Sequence, residues 1–183
     1  MIFQQEDPPM FKTRHALLLI CALVTSPAFG KPITACEGNE RNLKTYLTIH
    51  EVLFMKRDTT RVAEFYAPSV ISHNTDTGGD GARNVNTAQL AAMWDASRRN
   101  HPDRTLTDEL ILCAGDFVVV RTRIRNRDTT GVAGLAATNR DYNITGIDIY
   151  RFENGKVVER WGNSDLASMY KQLGHLVVPG PAK

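Results

Sequence analysis

Cysteine is scarce in this sequence, with three in 183 residues, and no two form a Cys-x-x-Cys pair. The five histidines are scattered and never stand four apart, so neither common zinc-binding spacing is present and no metal is expected. Charge of one sign is also missing. The balance of 22 basic against 20 acidic residues leaves +2, which gives no electrostatic reason to expect a nucleic-acid partner. The one dense glycine cluster, Gly78-Gly79-Asp80-Gly81, lacks the lysine and following Ser or Thr of a phosphate-binding loop, and nothing else points to a cofactor. No internal repeat or low-complexity tract occurs. The remaining composition is that of a single globular domain with a real core.

The most informative segment is at the start. Lys12, Arg14 and His15 precede an apolar run from Ala16 to Val24, and Ala28-Phe29-Gly30 then supplies small residues where a signal peptidase cuts. The run is far short of the roughly 20 residues a membrane-spanning helix needs. Residues 1–30 are therefore expected to be an export signal, with synthesis starting at Met1 or Met10. Residues 31–183 form the mature domain, periplasmic or secreted and free of the membrane. A competing pattern, Ile33-Thr34-Ala35-Cys36, resembles a lipidation box, but Lys31 and Pro32 interrupt the apolar stretch it requires. Export leaves Cys36 and Cys113, which either pair in an oxidising compartment or pack as separate buried thiols.

Along the mature chain, Leu43, Tyr46, Leu47, Leu53 and Phe54 recur at helical spacing from Glu40 to about Arg57, with His50 on the same stripe. A short helix capped by Thr59 or Thr60 holds Val62, Phe65 and Tyr66 and stops at Pro68. A strand covers Val70–Asn74, a loop Thr75–Arg83, and a third helix Thr87 to about Arg99, carrying Trp94. The rest is β: Leu106–Cys113, Phe117–Arg125, Tyr142–Phe152 and Lys156–Trp161. Asn154-Gly155 is the turn of the last hairpin, and a final helix over Asp165–Leu173 ends at Gly174. Helices followed by a hairpin-connected sheet give an α+β class.

That order, with particular residues, resembles the SnoaL-like polyketide cyclases of the nuclear transport factor 2-like superfamily. The carriers are Ser72-His73-Asn74 before a glycine loop, His101-Pro102-Asp103 before the sheet, Ala114–Arg121, and Gly131 to Arg140. They continue with Gly146–Trp161, Asp165 and Gln172-Leu173-Gly174. The resemblance implies a curved antiparallel sheet forming a cone-shaped half-barrel, closed by N-terminal helices around a cavity, and a homodimer. The family's cyclases use a histidine and an aspartate on the last hairpin. Counted from the Asn-Gly turn, these positions fall on Asp148 and Gly162, so the pair is not preserved and ring closure does not follow.

Candidate site residues follow from the strands. Asp148, between Ile147 and Ile149, is either a proton-transfer base or the partner of a strand arginine such as Arg121 or Arg123. With a tight Asn154-Gly155 turn, Asp148 lies opposite Trp161 and shares a face with Tyr150 and Glu159; a bulge would alter this. His73 and Asn74 end a strand beside a loop, where His73 is either an acid–base group at the mouth or an exposed histidine. Trp94, Tyr150 and Trp161 are either ligand wall or core. Arg121, Arg123, Arg125 and Arg127 share one face and either grip an anionic ligand or form a solvated strand end. The functional expectation is a protein binding a small, largely apolar, oxygenated molecule. Acid–base isomerase, hydrolase or lyase chemistry, a non-catalytic binder and a structural partner remain as alternatives.

Overall fold

The computed structural model describes residues 31–74 and 81–177. The expected export signal and most of the glycine loop after Asn74 lie outside the described residues. The chain enters through a short strand, β1 (Ile33–Ala35), and a helix, α1 (Glu40–Ile49), that buries Tyr46 and Ile49. One continuous α-helix to about Arg57 was the expectation. Instead α1 widens into a π-helical segment, His50–Met55, which buries Val52 and Leu53. Its wider turns are visible in the bond from the Lys56 amide to the Glu51 carbonyl, 2.9 Å. Such segments are rare and frequently occur at functional sites.

A 3-10 turn, Thr59–Arg61, is capped by Asp58 rather than by a threonine, its carboxylate accepting from the Thr60 amide at 3.3 Å. The short helix α2 (Val62–Phe65) ends one residue earlier than the apolar spacing implies, because Tyr66 opens strand β2 (Tyr66–Asn74). Pro68 lies inside this strand, in the interval where its register with the neighbouring strand slips, so its missing amide costs no ladder bond there. Strand β3 (Arg83–Asn86), not foreseen, runs directly into α3 (Thr87–Asn100). Asn86 and Gln89 close a capping box, each accepting from the other's amide at 2.8 and 2.9 Å.

Four long strands follow: β4 (Thr105–Ala114), β5 (Phe117–Arg127), β6 (Asp141–Glu153) and β7 (Lys156–Ser164). Helix α4 (Leu166–Leu173) closes the described fold, capped by Asp165 and stopped by Gly174 in the left-handed conformation, φ 83°. The seven strands form one open sheet in the order β1-β4-β5-β6-β7-β2-β3. The α+β class and the sheet curving around a helical layer are as the resemblance implies. The sheet is mixed rather than purely antiparallel, because β1 lies parallel to β4 and β2 parallel to β7. Cys36, just beyond β1, is disulfide-bonded to Cys113 near the end of β4, with 4.6 Å between their Cα atoms.

One sheet face is covered by the helices. Two apolar clusters lie on it. The larger joins Tyr46, Ile49, Val52 and Leu53 to Ile111, Val118, Val120, Tyr150 and Phe152. The smaller, under α4, joins Met169 and Leu173 to Val132, Tyr142 and Ile144. Each fully buried large side chain contributes roughly 1.5–3 kcal/mol, so these clusters hold the fold.

Candidate functional site

Strand alternation decides which side chains meet inside the cone. Three cross-strand rows lie on the covered face: Thr122, Gly146 and Ser164; Val120, Asp148 and Gly162; Val118, Tyr150, Arg160 and Ser72. Residues 122, 146, 148, 160, 162 and 164 thus separate the two apolar clusters with a belt of small and polar groups. Asp108, directly opposite Thr122, extends it onto β4.

The register of the last hairpin corrects one expectation. The Asn154-Gly155 turn is tight, with φ of 52° and 79°, and Phe152 pairs with Val157. Arg151 then pairs with Glu159, leaving Val158 as an extra residue in β7. The bulge flips the remainder of β7. Asp148 therefore lies opposite Gly162, and Trp161 lies opposite Ile149 on the other face of the sheet. Asp148 keeps Tyr150 as a neighbour on its face but loses Glu159 and Trp161.

Asp148 forms an ion pair with Arg160, two residues before Gly162 on the neighbouring strand. Of the two alternatives, the ion pair is the one present, and its arginine is neither Arg121 nor Arg123. Burial alone would lower the Arg160 pKa. The adjacent Asp148 charge, with Tyr150 and Tyr66, outweighs this and holds the guanidinium above its usual range. Tyr150 lies under the guanidinium carbon, 5.9 Å from ring centroid to Cζ. Burial, then the Asp148 charge, pushes its hydroxyl well above the ordinary phenol range. Among the described residues, Arg160 Nε and the Tyr66 hydroxyl are buried and have no hydrogen-bond partner.

Gly162 makes this arrangement possible. A Cβ built there would stand 2.8 Å from Asp148 Oδ1 and 2.9 Å from a terminal nitrogen of Arg160. Gly162→Ala is expected to push the pair apart and cost about 1–2 kcal/mol, as over-packing does. Urea unfolding reads this directly, and an unchanged midpoint would mean the pair moves freely.

A second polar group, on β4 and the helical layer, was not assembled from the sequence. Asp108, 8% exposed, accepts hydrogen bonds from the Tyr46 hydroxyl at 2.9 Å and the Thr122 hydroxyl at 3.0 Å. His50 Nε2 stands 3.7 Å from Asp108 Oδ1 and has no hydrogen-bond partner among the described residues. The π-helical segment begins at His50, and its ring lies 6.3 Å from Tyr46 and 6.2 Å from Phe54. A histidine beside a carboxylate is a pairing suited to moving a proton once a ligand brings the groups into contact. The signal in the sequence is weak: His50 lies on the apolar stripe of α1, and Asp108 stands among the alternating leucines of β4.

His73 does not join this site. It stacks on Trp161, 4.8 Å between centroids at 5°, and its Nε2 meets Glu159 Oε1 at 2.8 Å, all on the convex face. The hydrogen bond from His73, then one from Arg151, holds the Glu159 carboxyl below its usual range despite its burial. Arg121 and Arg123 lie on the same face, both paired with Glu109. The arginine stripe is real, but it points away from the cone. Trp94 is inside, edge-on to Tyr66 at 5.3 Å and to Phe54 at 5.7 Å. Asn74 falls opposite Gly162 in register, and its side chain lies outside the described residues. Among the described residues no three His, Cys, Asp or Glu groups converge as a metal site, and no helix is long and apolar enough to cross a membrane.

Comparison with known proteins places this geometry. None of the curated proteins compared matches the chain. Among solved structures, IdmH of Streptomyces antibioticus, a candidate polyketide cyclase, is 27% identical, with a TM-score of 0.64 over 73% of this chain and 98% of its own. AclR of Streptomyces galilaeus, a candidate hydroxylase, is 18% identical, with a TM-score of 0.65 over 78% and 90%. A candidate SnoaL-like polyketide cyclase from Jannaschia is 17% identical, with a TM-score of 0.66 over 75% and 94%. The last two likenesses concern the fold alone. A sequence model of the SnoaL-like polyketide cyclases matches residues 44–173, from α1 to the end of α4, and on that match the chain belongs to this family of small-molecule-binding cone folds.

Proposed function

We propose that the mature protein is exported and holds one small, largely apolar, oxygenated molecule inside the cone. The observation carrying this reading is the belt of small and polar residues between two apolar clusters on the covered face. An apolar ligand with one oxygenated edge matches that alternation, because its hydrocarbon meets Trp94, Phe54 and Ile144 while its oxygen meets buried donors. Export is supported by the basic–apolar–small order of residues 12–30 and by the Cys36–Cys113 bond, which an oxidising compartment favours.

Binding is the primary activity in this reading, since an aspartate locked to arginine is a poor general base. Acid–base chemistry on the bound molecule is a second reading, favoured by the His50 nitrogen beside Asp108, which has no hydrogen-bond partner among the described residues. A second copy of the chain is the expected partner. The convex face carries an apolar row, Leu112, Val119, Ile149 and Trp161, next to Phe117 and to Ile147, which is 50% exposed. Two copies related by a two-fold axis would cover this strip on both sheets.

Native mass spectrometry of protein purified from an expressing bacterium tests the reading in one experiment. The expected species is a dimer of chains beginning at Lys31, each with one disulfide and a retained small molecule. Chains beginning at Met1 or Met10 would end the export proposal, and an acylated Cys36 would replace it with lipidation. A dimer that takes up no small apolar molecule, even when offered N-phenyl-1-naphthylamine, would end the binding proposal.

A further inference from the structure

Among the described residues, the cone contains an arginine without an acid. Arg104, immediately before β4, continues the alternation of Leu106 and Asp108, and so falls on the covered face, in line with Asn126 and Tyr142. Its side chain is half-buried, and among the described residues it makes neither an ion pair nor a hydrogen bond. The groups that act on it electrostatically are the Tyr142 hydroxyl and two further cations, Arg57 and Arg160. Burial first, then Arg57 and Arg160, holds its guanidinium below the usual arginine range despite Tyr142. Arg57 is committed elsewhere, donating to the Pro102 carbonyl at 2.9 Å and the Arg104 carbonyl at 2.8 Å, so it braces the backbone beneath Arg104. Asp148 is committed to Arg160.

An arginine half-removed from water, unpaired among the described residues and repelled by two nearby cations, is unfavourable unless an anion answers it. Its neighbourhood lacks one acceptor with negative charge. Arg160 Nε and the Tyr66 hydroxyl, buried and unpartnered among the described residues, lack an acceptor as well. A planar carboxylate answers an arginine best, because it takes two parallel N–H bonds.

We propose that the molecule held in the cone is an anion, an apolar body bearing a carboxylate or a comparable acidic oxygen group, and that Arg104 is the residue that binds this group. The assignment rests on the cone-binding reading above and sharpens it from an oxygenated molecule to an organic acid. Arg160 Nε and Tyr66 are the donors available to a second oxygen of the same ligand. Of the four arginines singled out in the sequence for this purpose, Arg121 and Arg123 face the convex side and already have Glu109.

Two fluorescent probes separate charge from shape. 8-Anilinonaphthalene-1-sulfonate and N-phenyl-1-naphthylamine share an aromatic skeleton and differ in the sulfonate. Both are titrated against the intact mature protein, Arg104→Gln and Arg104→Lys. The expected result is a loss of about tenfold or more in affinity for the sulfonate probe in Arg104→Gln. The neutral probe should change by less than about twofold, and Arg104→Lys should largely retain the sulfonate probe. Added salt should weaken the sulfonate probe in the parent but hardly in Arg104→Gln.

Thermal melting without ligand gives an independent readout. Removing an unpaired half-buried charge should raise the melting temperature of Arg104→Gln, by about 2–4 °C for a chain of this size. An arginine that merely supports the fold would lower it. Equal weakening of both probes, or unchanged sulfonate binding in Arg104→Gln, overturns the assignment, as does a lowered melting temperature. Failure of the neutral probe to bind the parent would sink the cone reading itself. Binding of the neutral probe with no dependence of the sulfonate probe on Arg104 would sink only the anion.

Discussion

Replacing Cys36 and Cys113 together with serine is expected to lower the stability of the protein by about 4 kcal/mol. The bond joins residues 77 apart in sequence, and a cross-link over a loop of that size removes much conformational freedom from the unfolded chain. The folded state loses something as well. β1 has only three residues, all exposed, and its pairing with β4 is an edge ladder too short to persist unaided. The disulfide anchors this strand and fixes the start of the segment leading into α1, the helix that carries Tyr46 to Asp108 and leads into His50. Scanning calorimetry of the double variant should show a melting temperature lowered by about 8–16 °C. A decrease of only a degree or two would mean that the clusters around Tyr46 and Tyr150 hold this end of the molecule without covalent help.

Asp148→Asn is the second large effect expected, a loss of about 2–4 kcal/mol. Breaking a buried pair strands the remaining charge, which costs roughly 3–5 kcal/mol when both partners are fully enclosed. Here the side chains retain 24% and 17% exposure, so water screens part of that loss. Replacing both partners, Asp148→Leu with Arg160→Met, removes the stranded charge and should recover much of the stability. A double-mutant cycle by urea unfolding should give a coupling above about 1 kcal/mol. Additive single effects would show that Asp148 and Arg160 act independently, and full stability of Asp148→Asn would return Asp148 to consideration as a free acid or base.

Much of the fold was legible in the sequence because its signals are local. Apolar residues of α1 repeat at helical spacing, Asn154-Gly155 adopts the turn its composition dictates, and Gly174 stops α4. β3 was not legible, since Arg83–Asn86 carries no alternation and becomes a strand only by pairing with β2. The site was harder to read. A single extra residue, Val158, decides whether Trp161 shares a face with Asp148, and no composition rule announces a bulge. The pairing that assumed a perfect hairpin therefore placed Trp161 and Glu159 inside the cone, when they line its outside with His73. The arginine stripe of β5 was read correctly as a stripe. Its face is set by the alternation with Val118, Val120 and Thr122, which are buried under the helices, and the irregularity of β4 between Asp108 and Leu110 brings Glu109 to it. Asp108 and His50 meet only through tertiary packing. The electrostatic isolation of Arg104 is a property of what surrounds it, which no single-residue pattern carries.

The chain has two tryptophans, and the structure puts Trp94 in the cone and Trp161 on the convex face. Fluorine NMR of protein labelled with 5-fluorotryptophan therefore gives one reporter for each side, assigned with Trp161→Phe. Titration with N-phenyl-1-naphthylamine should move the Trp94 resonance and leave that of Trp161 in place. Movement of Trp161 with Trp94 unchanged would put the ligand on the outer sheet face and contradict the account.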